Sequence, residues 1–317
     1  MGNKLVVAYS CNDGYILQTG ISLISLFENN RSFNQIEVVL ISKGISRENI
    51  VVIEKICERY NRTLRIVDFD QIAYDLKLTS TGRHIATIYA KIFFSRLSAI
   101  DKILYIDSDT IINGSVAEFY NTDLSDSYMG MVKTYTGEEA KNVLGMKPDA
   151  SFFNDGVALV NVDYCRKNNL ITKCLSVINS YDGNPPVLSE GVLNKVCEGH
   201  IKTVSPRFNM MAGLYQIIRL DPTFLSKKLN YSESELRDSC RNPVIIHYLS
   251  GFYDRPWNKG CSHPLRDIFL QYKSISPWKD TPLYKRNLSI RLKFLGIMLN
   301  IIGPYKFEKI QKLLKRK

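Results

Sequence analysis

The chain has no run of about 20 consecutive apolar residues, the length that a membrane-spanning helix needs, so the sequence predicts no spanning helix. Its first residues, MGNKLVVAYS, predict a strand and lack the basic-then-apolar pattern of a secretory signal. The seven cysteines are an odd number without C-x-x-C spacing, which favours reduced, buried thiols over a disulfide framework. Internal repeats and low-complexity linkers are also missing. We therefore expect a cytoplasmic protein with one compact main domain.

Outside its C-terminal end, the chain has almost no excess of either charge. The net charge is +11, but residues 285–317 hold ten basic residues and one acidic residue, which leaves only +2 for the first 284 residues. A nearly neutral body with a basic tail is not the pattern of a nucleic-acid-binding domain. No nucleic-acid partner is expected.

The basic tail also carries apolar residues at helical spacing, and Gly303-Pro304 interrupts it. Segments of this kind lie in a membrane interface and favour anionic lipid. The alternative is a pair of helices packed on the domain with a solvated basic face. We expect a main domain over residues 1–275 and a basic amphipathic tail over residues 276–317, either peripheral on the inner face of the cell membrane or packed on the domain.

The stretch from Lys102 to Ser115, KILYIDSDTIINGS, begins with an apolar run typical of a buried parallel strand. The run ends in Asp107-Ser108-Asp109. Two carboxylates at the end of a buried strand are costly unless a cation holds them, and hard divalent cations prefer oxygen ligands. Ligands of open α/β sheets bind at this edge. The stretch predicts a metal site, although the two carboxylates could instead cap a turn.

Strands are predicted over Leu5–Tyr9, Ile36–Ser42 and Leu64–Val67, with helical segments between them. This order is that of a doubly wound α/β start. A helix from Tyr164 to Tyr181 and a last strand from Val244 to Tyr248 follow. We expect an α/β fold with a mixed, mostly parallel sheet flanked by helices.

Three further positions admit two interpretations each. Ser10 to Tyr15, SCNDGY, has the strand-loop-helix layout of a nucleotide site, but it is also an ordinary turn between strand and helix. Glu190 is either a carboxylate that the helix dipole stabilises or a catalytic group. His247, near the exit of the last strand, is either a core histidine or a metal ligand.

Five separated blocks between Leu5 and Trp257 occur in one order: SCNDGY, RHI…TIYAK, ILYIDSDTII, FFNDGVALVN and HYLSGFYDRPW. Together they resemble glycosyltransferase family 8, the retaining GT-A-fold enzymes that include glycogenin and bacterial lipopolysaccharide galactosyltransferases. The resemblance implies a Rossmann-like GT-A sheet and a metal-dependent hexosyltransferase. Such an enzyme moves glucose or galactose from UDP-glucose or UDP-galactose to a glycan, glycolipid or glycoprotein.

The resemblance also implies roles for individual residues. Asp107, Asp109 and His247 would bind Mn²⁺ or Mg²⁺, and an acceptor would lie near Arg83, His84 and Ile85. The catalytic and sugar-pocket residues would be Asn154, Asp155 and Glu190. The residues implied to bind the donor nucleotide, its phosphates or its sugar are Ser10, Asn12, Tyr15, Lys91, Asp107, Ser108, Gly251 and Arg255.

Three departures from the family pattern matter. Asn12 stands where many members carry Asp, and Arg255 replaces the usual Lys, so a planar fork takes the place of a compact ammonium. The family's Asp-Gln pair is Ser189-Glu190 here, which puts a carboxylate beside the reactive carbon of the sugar. Glu190 could act as a nucleophile or as an electrostatic partner, and we favour the second. A metal-dependent nucleotidyltransferase and a non-catalytic sugar-nucleotide-binding protein remain the alternatives.

Overall fold

The structure is a computed structural model that describes residues 4–79, 86–249, 251–285 and 288–315. The strands are β1 (Lys4–Cys11), β2 (Gln35–Ser42), β3 (Thr63–Asp68), β4 (Lys102–Ile106), β5 (Thr110–Ile112), β6 (Met129–Lys133), β7 (Phe153–Asn161), β8 (Ile201–Thr203), β9 (Met210–Met211) and β10 (Ile245–His247). The helices are α1 (Ile16–Asn29), α2 (Arg47–Arg59), α3 (Phe69–Ile72), α4 (Ala117–Tyr120), α5 (Glu138–Val143), α6 (Val162–Lys167), α7 (Leu170–Ser180), α8 (Leu188–Val196), α9 (Ala212–Leu220), α10 (Pro222–Leu229), α11 (Glu233–Arg241), α12 (Arg266–Ser274) and α13 (Ile290–Lys315). Short 3₁₀ segments cover Asp13–Tyr15, Ala86–Arg96 and Pro206–Phe208.

The main sheet has seven strands in the order β3-β2-β1-β4-β7-β6-β8. Its β3-β2-β1-β4 part and its β6-β8 pair are parallel, whereas β7 is antiparallel to both β4 and β6. This confirms the expected mixed, mostly parallel sheet. The strand before Asp107 was expected to be parallel, which is correct on its β1 side and wrong on its β7 side.

Both faces of the main sheet are covered, as the continuous apolar runs of its central strands require. Along β1, Leu5 and Val7 join one hydrophobic core, while Val6 and Ala8 join the other. Successive side chains of a strand point to opposite faces, so one strand contributes to both cores. Helix α1 packs in the first core, and the 3₁₀ segment at Ala86–Arg96 packs in the second.

A second sheet of three strands has the order β5-β10-β9. Strand β10 runs antiparallel to β5 and parallel to β9, so that His247 lies opposite both Thr110 and Met211. This sheet continues the chain directly after Asp107-Ser108-Asp109. It therefore fixes where His247 stands relative to the two carboxylates.

The helix expected over Tyr164 to Tyr181 is in fact two helices, α6 and α7. The break falls at Asn168-Asn169, where Asn169 has a φ of 53°. Asparagine adopts this left-handed conformation more readily than other residues with a side chain, and the conformation cannot continue a right-handed helix.

The tail forms α13, and Gly303 interrupts it with a φ of 74° just before Pro304, as the sequence predicts. Leu299 and Phe307 are 1% and 6% exposed and belong to the same core as α1. The side-chain amide of Gln216 donates to Asn300 at 3.2 Å, so the tail is also tied to α9. Within the described part of the chain, no helix combines the length and apolar character needed to cross a bilayer.

Candidate functional site

Asp107 and Asp109 lie in the turn between β4 and β5, and His247 ends β10. The His247 Nε2 atom lies 3.0 Å from Asp109 Oδ1 and 3.8 Å from Asp107 Oδ2. One ligand atom from each of the three side chains lies within 4.8 Å of the other two. The structure therefore brings together the three side chains that the sequence singled out as metal ligands.

Gly156 makes this approach sterically possible. A Cβ atom at this position of β7 would lie 2.5 Å from Asp107 Oδ2 and 2.5 Å from His247 Cε1, closer than any side chain tolerates. A glycine inside a strand often marks such a close approach. The sequence contained that signal in FFNDGVALVN, but the role of Gly156 was missed.

A buried chain of side-chain amides joins His247 to Glu190. The Gly156 backbone N–H and Asn209 Nδ2 both donate to Asn154 Oδ1, at 3.3 and 2.8 Å. This orients the Asn154 Nδ2 group to donate to Glu190 Oε2 at 2.7 Å. Asn209 Oδ1 then accepts from His247 Nδ1 at 2.9 Å. This contact holds the imidazole with Nε2 turned toward the two carboxylates, the orientation that a metal ligand needs.

Asn209 is fully buried, at 0% exposure, and sequence reasoning missed it. It precedes β9 and lies outside the five blocks that carried the family resemblance. Only the pairing of β9 with β10 brings it beside the imidazole. A single sequence offers no local signal for such a residue.

The carboxylates differ in their electrostatic surroundings. Burial raises the pKa of Asp107 to about 6, and the charge of Asp109 adds to this effect. Burial alone would also raise the pKa of Asp109, but the His247 imidazole and the Arg255 guanidinium outweigh it, so this pKa is lowered. Arg255 forms an ion pair with Asp109 Oδ2. One buried acid, one partly exposed acid, one imidazole and one guanidinium thus share the site.

A second charged cluster lies beside the first. Lys91 Nζ and Ser189 Oγ each donate to Asp155 Oδ2 at 2.8 Å. Burial, reinforced by the charge of Asp155, raises the pKa of Glu190 to about 8. Lys91 is 2% exposed and its charge opposes the raised pKa values of both Asp107 and Glu190. The positive charge of Lys91 therefore acts on an acid in each of the two clusters.

Ser10 and Ser108 contribute through their hydroxyl groups. Tyr105 donates to Asp107 Oδ1 at 2.7 Å and shares a 2.8 Å hydrogen bond with Ser10 Oγ, so Tyr105 was another contributor that the sequence did not single out. The Ser108 hydroxyl accepts from Thr19 on α1 at 2.8 Å. Both serines thus hold the carboxylate turn against β1 and α1.

The remaining predicted positions lie in loops around these clusters. The Asn12 side chain accepts from the Gly14 backbone N–H at 3.0 Å and caps the turn that carries Tyr15, which is 39% exposed. Gly251 lies in the bend that leads to Arg255. The three acceptor candidates, residues 83–85, lie outside the described residues.

The donor set fits a hard or borderline divalent cation. It consists of two carboxylates and one imidazole whose Nε2 faces them, and such oxygen and nitrogen ligands suit Mn²⁺ and Mg²⁺. Asp107, Asp109 and His247 are therefore the residues that could hold such an ion.

The fold and this site define a class of protein, a GT-A-type glycosyltransferase. Residues 6–261 match the model of "Glycosyl transferase family 8", and the chain belongs to that family. It is 24% identical over 283 residues to General stress protein A of Bacillus subtilis, covering 87% of this chain and 96% of that protein. It is 23% identical over 286 residues to a lipopolysaccharide 1,2-glucosyltransferase of Escherichia coli, covering 88% and 80% of the two chains.

Solved structures agree on the fold. A crystal structure of galactosyltransferase LgtC in complex with donor and acceptor sugar analogs superposes with a TM-score of 0.71 at 20% identity, covering 86% of this chain and 96% of LgtC. The bifunctional glycosyltransferase WbbM gives 0.73 at 21% identity, covering 91% of this chain and 52% of that one. At such identities the likeness establishes the GT-A architecture.

Proposed function

We propose that this glycosyltransferase moves a hexose, glucose or galactose, from a UDP-sugar to a glycan, glycolipid or glycoprotein acceptor, with retention of configuration and dependence on a divalent cation. The observation that carries the proposal is the convergence of Asp107, Asp109 and His247 within 4.8 Å. Two carboxylates and an imidazole at this separation are oxygen and nitrogen ligands of the kind that bind a divalent cation.

The leaving group of such a transfer is a diphosphate, which accumulates negative charge as the glycosidic bond breaks. A divalent cation held by the three ligands would neutralise that charge as a Lewis acid. Arg255, which already pairs with Asp109, would add a fixed positive charge with a planar fork suited to phosphate. Lys91 is held 2.8 Å from Asp155 and supplies a second fixed charge.

The sugar would lie against the second cluster. Glycosyl transfer passes through an oxocarbenium-like transition state, which a facing carboxylate stabilises. Glu190 is held by the Asn154 amide at 2.7 Å, so its orientation is fixed before the donor binds. We assign it the electrostatic role, with Asn154 and Asp155 lining the sugar pocket. This role needs the ionised carboxylate, and a cation bound nearby would favour ionisation, as the charge of Lys91 already does.

The nucleotide would bind along the first strand-helix loop. Ser10, Asn12 and Tyr15 follow β1 there, and the exposed ring of Tyr15 is free to stack on a base. Ser108 holds the carboxylate turn, and Gly251 and Arg255 belong to the segment that would close over the diphosphate. The acceptor would approach near Arg83, His84 and Ile85.

The experiment that tests this function is a donor screen. The protein is incubated with UDP-glucose or UDP-galactose and Mn²⁺, and release of UDP is measured. Release from one of these sugars supports the proposal. A reaction at phosphorus that forms or consumes pyrophosphate would favour a nucleotidyltransferase instead. Binding of the donor without turnover would indicate a non-catalytic sugar-nucleotide-binding protein.

A further inference from the structure

A cavity of about 500 Å³ lies between α9, α13, the segment 134–139 and the segment after β10. A volume of this size is typical of sites that bind small molecules. Most of its wall is apolar or aromatic, and it includes the side chains of Met211, Leu214, Ile217, Phe224, Leu299 and Phe307. None of these side chains has a role in the sugar-transfer site described above.

Two walls of the cavity continue directly from strands of the site. Thr134 follows β6, in which Val132 pairs with Asn154 of β7. Met211 pairs with His247 in the small sheet. The cavity therefore begins one residue layer away from the sugar pocket and the candidate metal ligands.

The C-terminal tail supplies another wall. Leu299 precedes the break at Gly303 and Phe307 follows it, so the break turns both side chains toward the domain. Tyr305 packs edge-on against Phe224 at 4.9 Å between ring centroids, and Phe307 packs against Phe252 at 5.5 Å. Without the tail the aromatic floor of the cavity would be open to water.

The rim and the outer face of the tail have a different character. The rim carries Glu138 and Lys312, whose side chains are 73% and 69% exposed. The outer face of α13 carries a stripe of exposed apolar side chains at helical spacing, namely Ile290, Phe294, Ile297 and Ile301. The apolar interior suits the alkyl chain of an amphiphile, and the charged rim suits its polar head. The apolar outer stripe suits contact with the membrane surface from which such an amphiphile would come.

We propose that the cavity binds the alkyl chain of a membrane-anchored glycolipid acceptor, with the sugar of that acceptor facing Glu190 and His247. The inference rests on the proposed sugar transfer, and it narrows the acceptor from any glycan to one whose apolar chain lies within about one sugar of the reacting hydroxyl. The tail is then part of the acceptor site as well as a packing element.

The test measures binding directly, without donor or metal, so that it does not depend on turnover. Methyl, octyl and decyl β-glucosides and β-galactosides, each below its critical micelle concentration, are titrated into the full chain by calorimetry. Burial of each CH₂ is worth about 0.8 kcal/mol, so affinity should rise roughly fourfold for each CH₂ that enters the cavity. Equal affinity for the methyl and decyl compounds would overturn the proposal, whatever the result of the donor screen.

Gly213 allows the cavity to be filled. Among the residues that the structure describes, a Cβ there would meet only Tyr135 Oη, at an ordinary 3.6 Å, so Gly213→Leu should project into the cavity and remove the dependence on chain length. Gly213→Ala adds one methyl group and should weaken decyl binding less; it decides the matter if the Leu variant does not fold. Leu220→Ser, an exposed apolar position on α9 outside the cavity, is the control and should change nothing. Undiminished dependence on chain length in the Gly213 variants would refute the assignment.

Discussion

Gly156 sits where β7 passes behind Asp107 and His247, and it leaves no room for a methyl group. We expect Gly156→Ala to displace one of these two side chains and to weaken Mn²⁺ binding at least tenfold, with a loss of about 1–3 kcal/mol in stability from the overpacking. Calorimetric titration of Mn²⁺ and chemical denaturation measure the two effects.

Gly114→Ala is the matched control for Gly156→Ala. A Cβ at Gly114 would meet its nearest neighbour at 3.6 Å, an ordinary contact away from the candidate metal ligands. It should leave Mn²⁺ affinity unchanged. Equal Mn²⁺ affinity in both alanine variants would mean that the close approach in β7 does not shape the ion site.

Asn209 sets the orientation of the His247 imidazole through its side-chain oxygen. Groups that orient a metal-ligating histidine typically contribute 10- to 100-fold in metal affinity, so Asn209→Leu should lose about that much Mn²⁺ affinity. Nitrogen NMR of the histidine side chains should also show that His247 no longer holds its proton on Nδ1.

Asn30 offers a control for Asn209, because it is also 0% exposed and makes its hydrogen bonds to Leu26, Gly114 and Val116, away from the candidate ligands. Asn30→Leu should lower stability and leave Mn²⁺ affinity intact. A loss of Mn²⁺ affinity as large in Asn30→Leu as in Asn209→Leu would contradict an orienting role.

Glu190 should matter for turnover and for the pH dependence of stability in different ways. In its electrostatic role, Glu190→Gln should reduce kcat by about 100-fold or more and leave UDP affinity nearly unchanged. UDP release and UDP titration measure these two quantities. A variant with unchanged kcat would remove Glu190 from the mechanism.

The raised pKa of Glu190 has its own consequence. In the folded chain this pKa is about 8, against an ordinary value of 4.5 for a glutamate. The folded state therefore keeps a proton that the unfolded chain releases, and this stabilisation is complete below pH 4.5 and lost as the pH rises to 8. Melting temperatures measured across this range should fall more steeply for the natural chain than for Glu190→Gln. Parallel curves would show that Glu190 ionises normally.

At the scale of elements, α13 has two faces with different tasks. Its inner face packs Leu299 and Phe307 into the core, while its outer stripe is exposed, with Ile290 at 86%, Phe294 at 63% and Ile301 at 77%. We propose that this outer stripe, with the neighbouring basic residues, lies on an anionic membrane surface, where each basic residue adds roughly 1 kcal/mol.

Because the inner face belongs to the core, substitution tests the outer face better than truncation. The double variant Phe294→Ser and Ile301→Ser should bind vesicles that contain anionic lipid several-fold more weakly and keep the melting temperature of the natural chain. Vesicle co-sedimentation is the measurement. Unchanged binding would leave α13 as a packed helix with a solvated basic face, the other interpretation that its sequence allows.

Local patterns predicted some elements well and others not at all. Apolar runs bounded by turn residues predict β1, β2 and β4, and Gly303-Pro304 predicts the break in α13. The strand expected over Val244 to Tyr248 is β10, but its pairing with β5 and β9 in a separate sheet was not predicted, because β5 has only three residues and β9 only two, too few for a periodic signal. The break at Asn169 was missed because apolar spacing continues across it.

At the scale of the whole molecule, the sequence singled out residues of the candidate site but not the contacts that join them. Asp107, Asp109, Glu190 and His247 could be chosen because charged or ligating side chains at the ends of apolar segments are conspicuous. Asn209 could not be chosen, since 38 residues separate it from His247 and only tertiary pairing joins them. Likewise, the cavity exists only after the tail folds back on α9, which no local pattern specifies.

The central claim is that Asp107, Asp109 and His247 hold a cation that carries the diphosphate of a UDP-sugar. Titration of UDP into the protein with Mn²⁺ present, and again with EDTA, tests it most directly. We predict tight binding with Mn²⁺, at least tenfold weaker binding with EDTA, and no difference between the two conditions in Asp109→Asn or His247→Leu. Equal UDP affinity with Mn²⁺ and with EDTA in the natural chain would contradict the account.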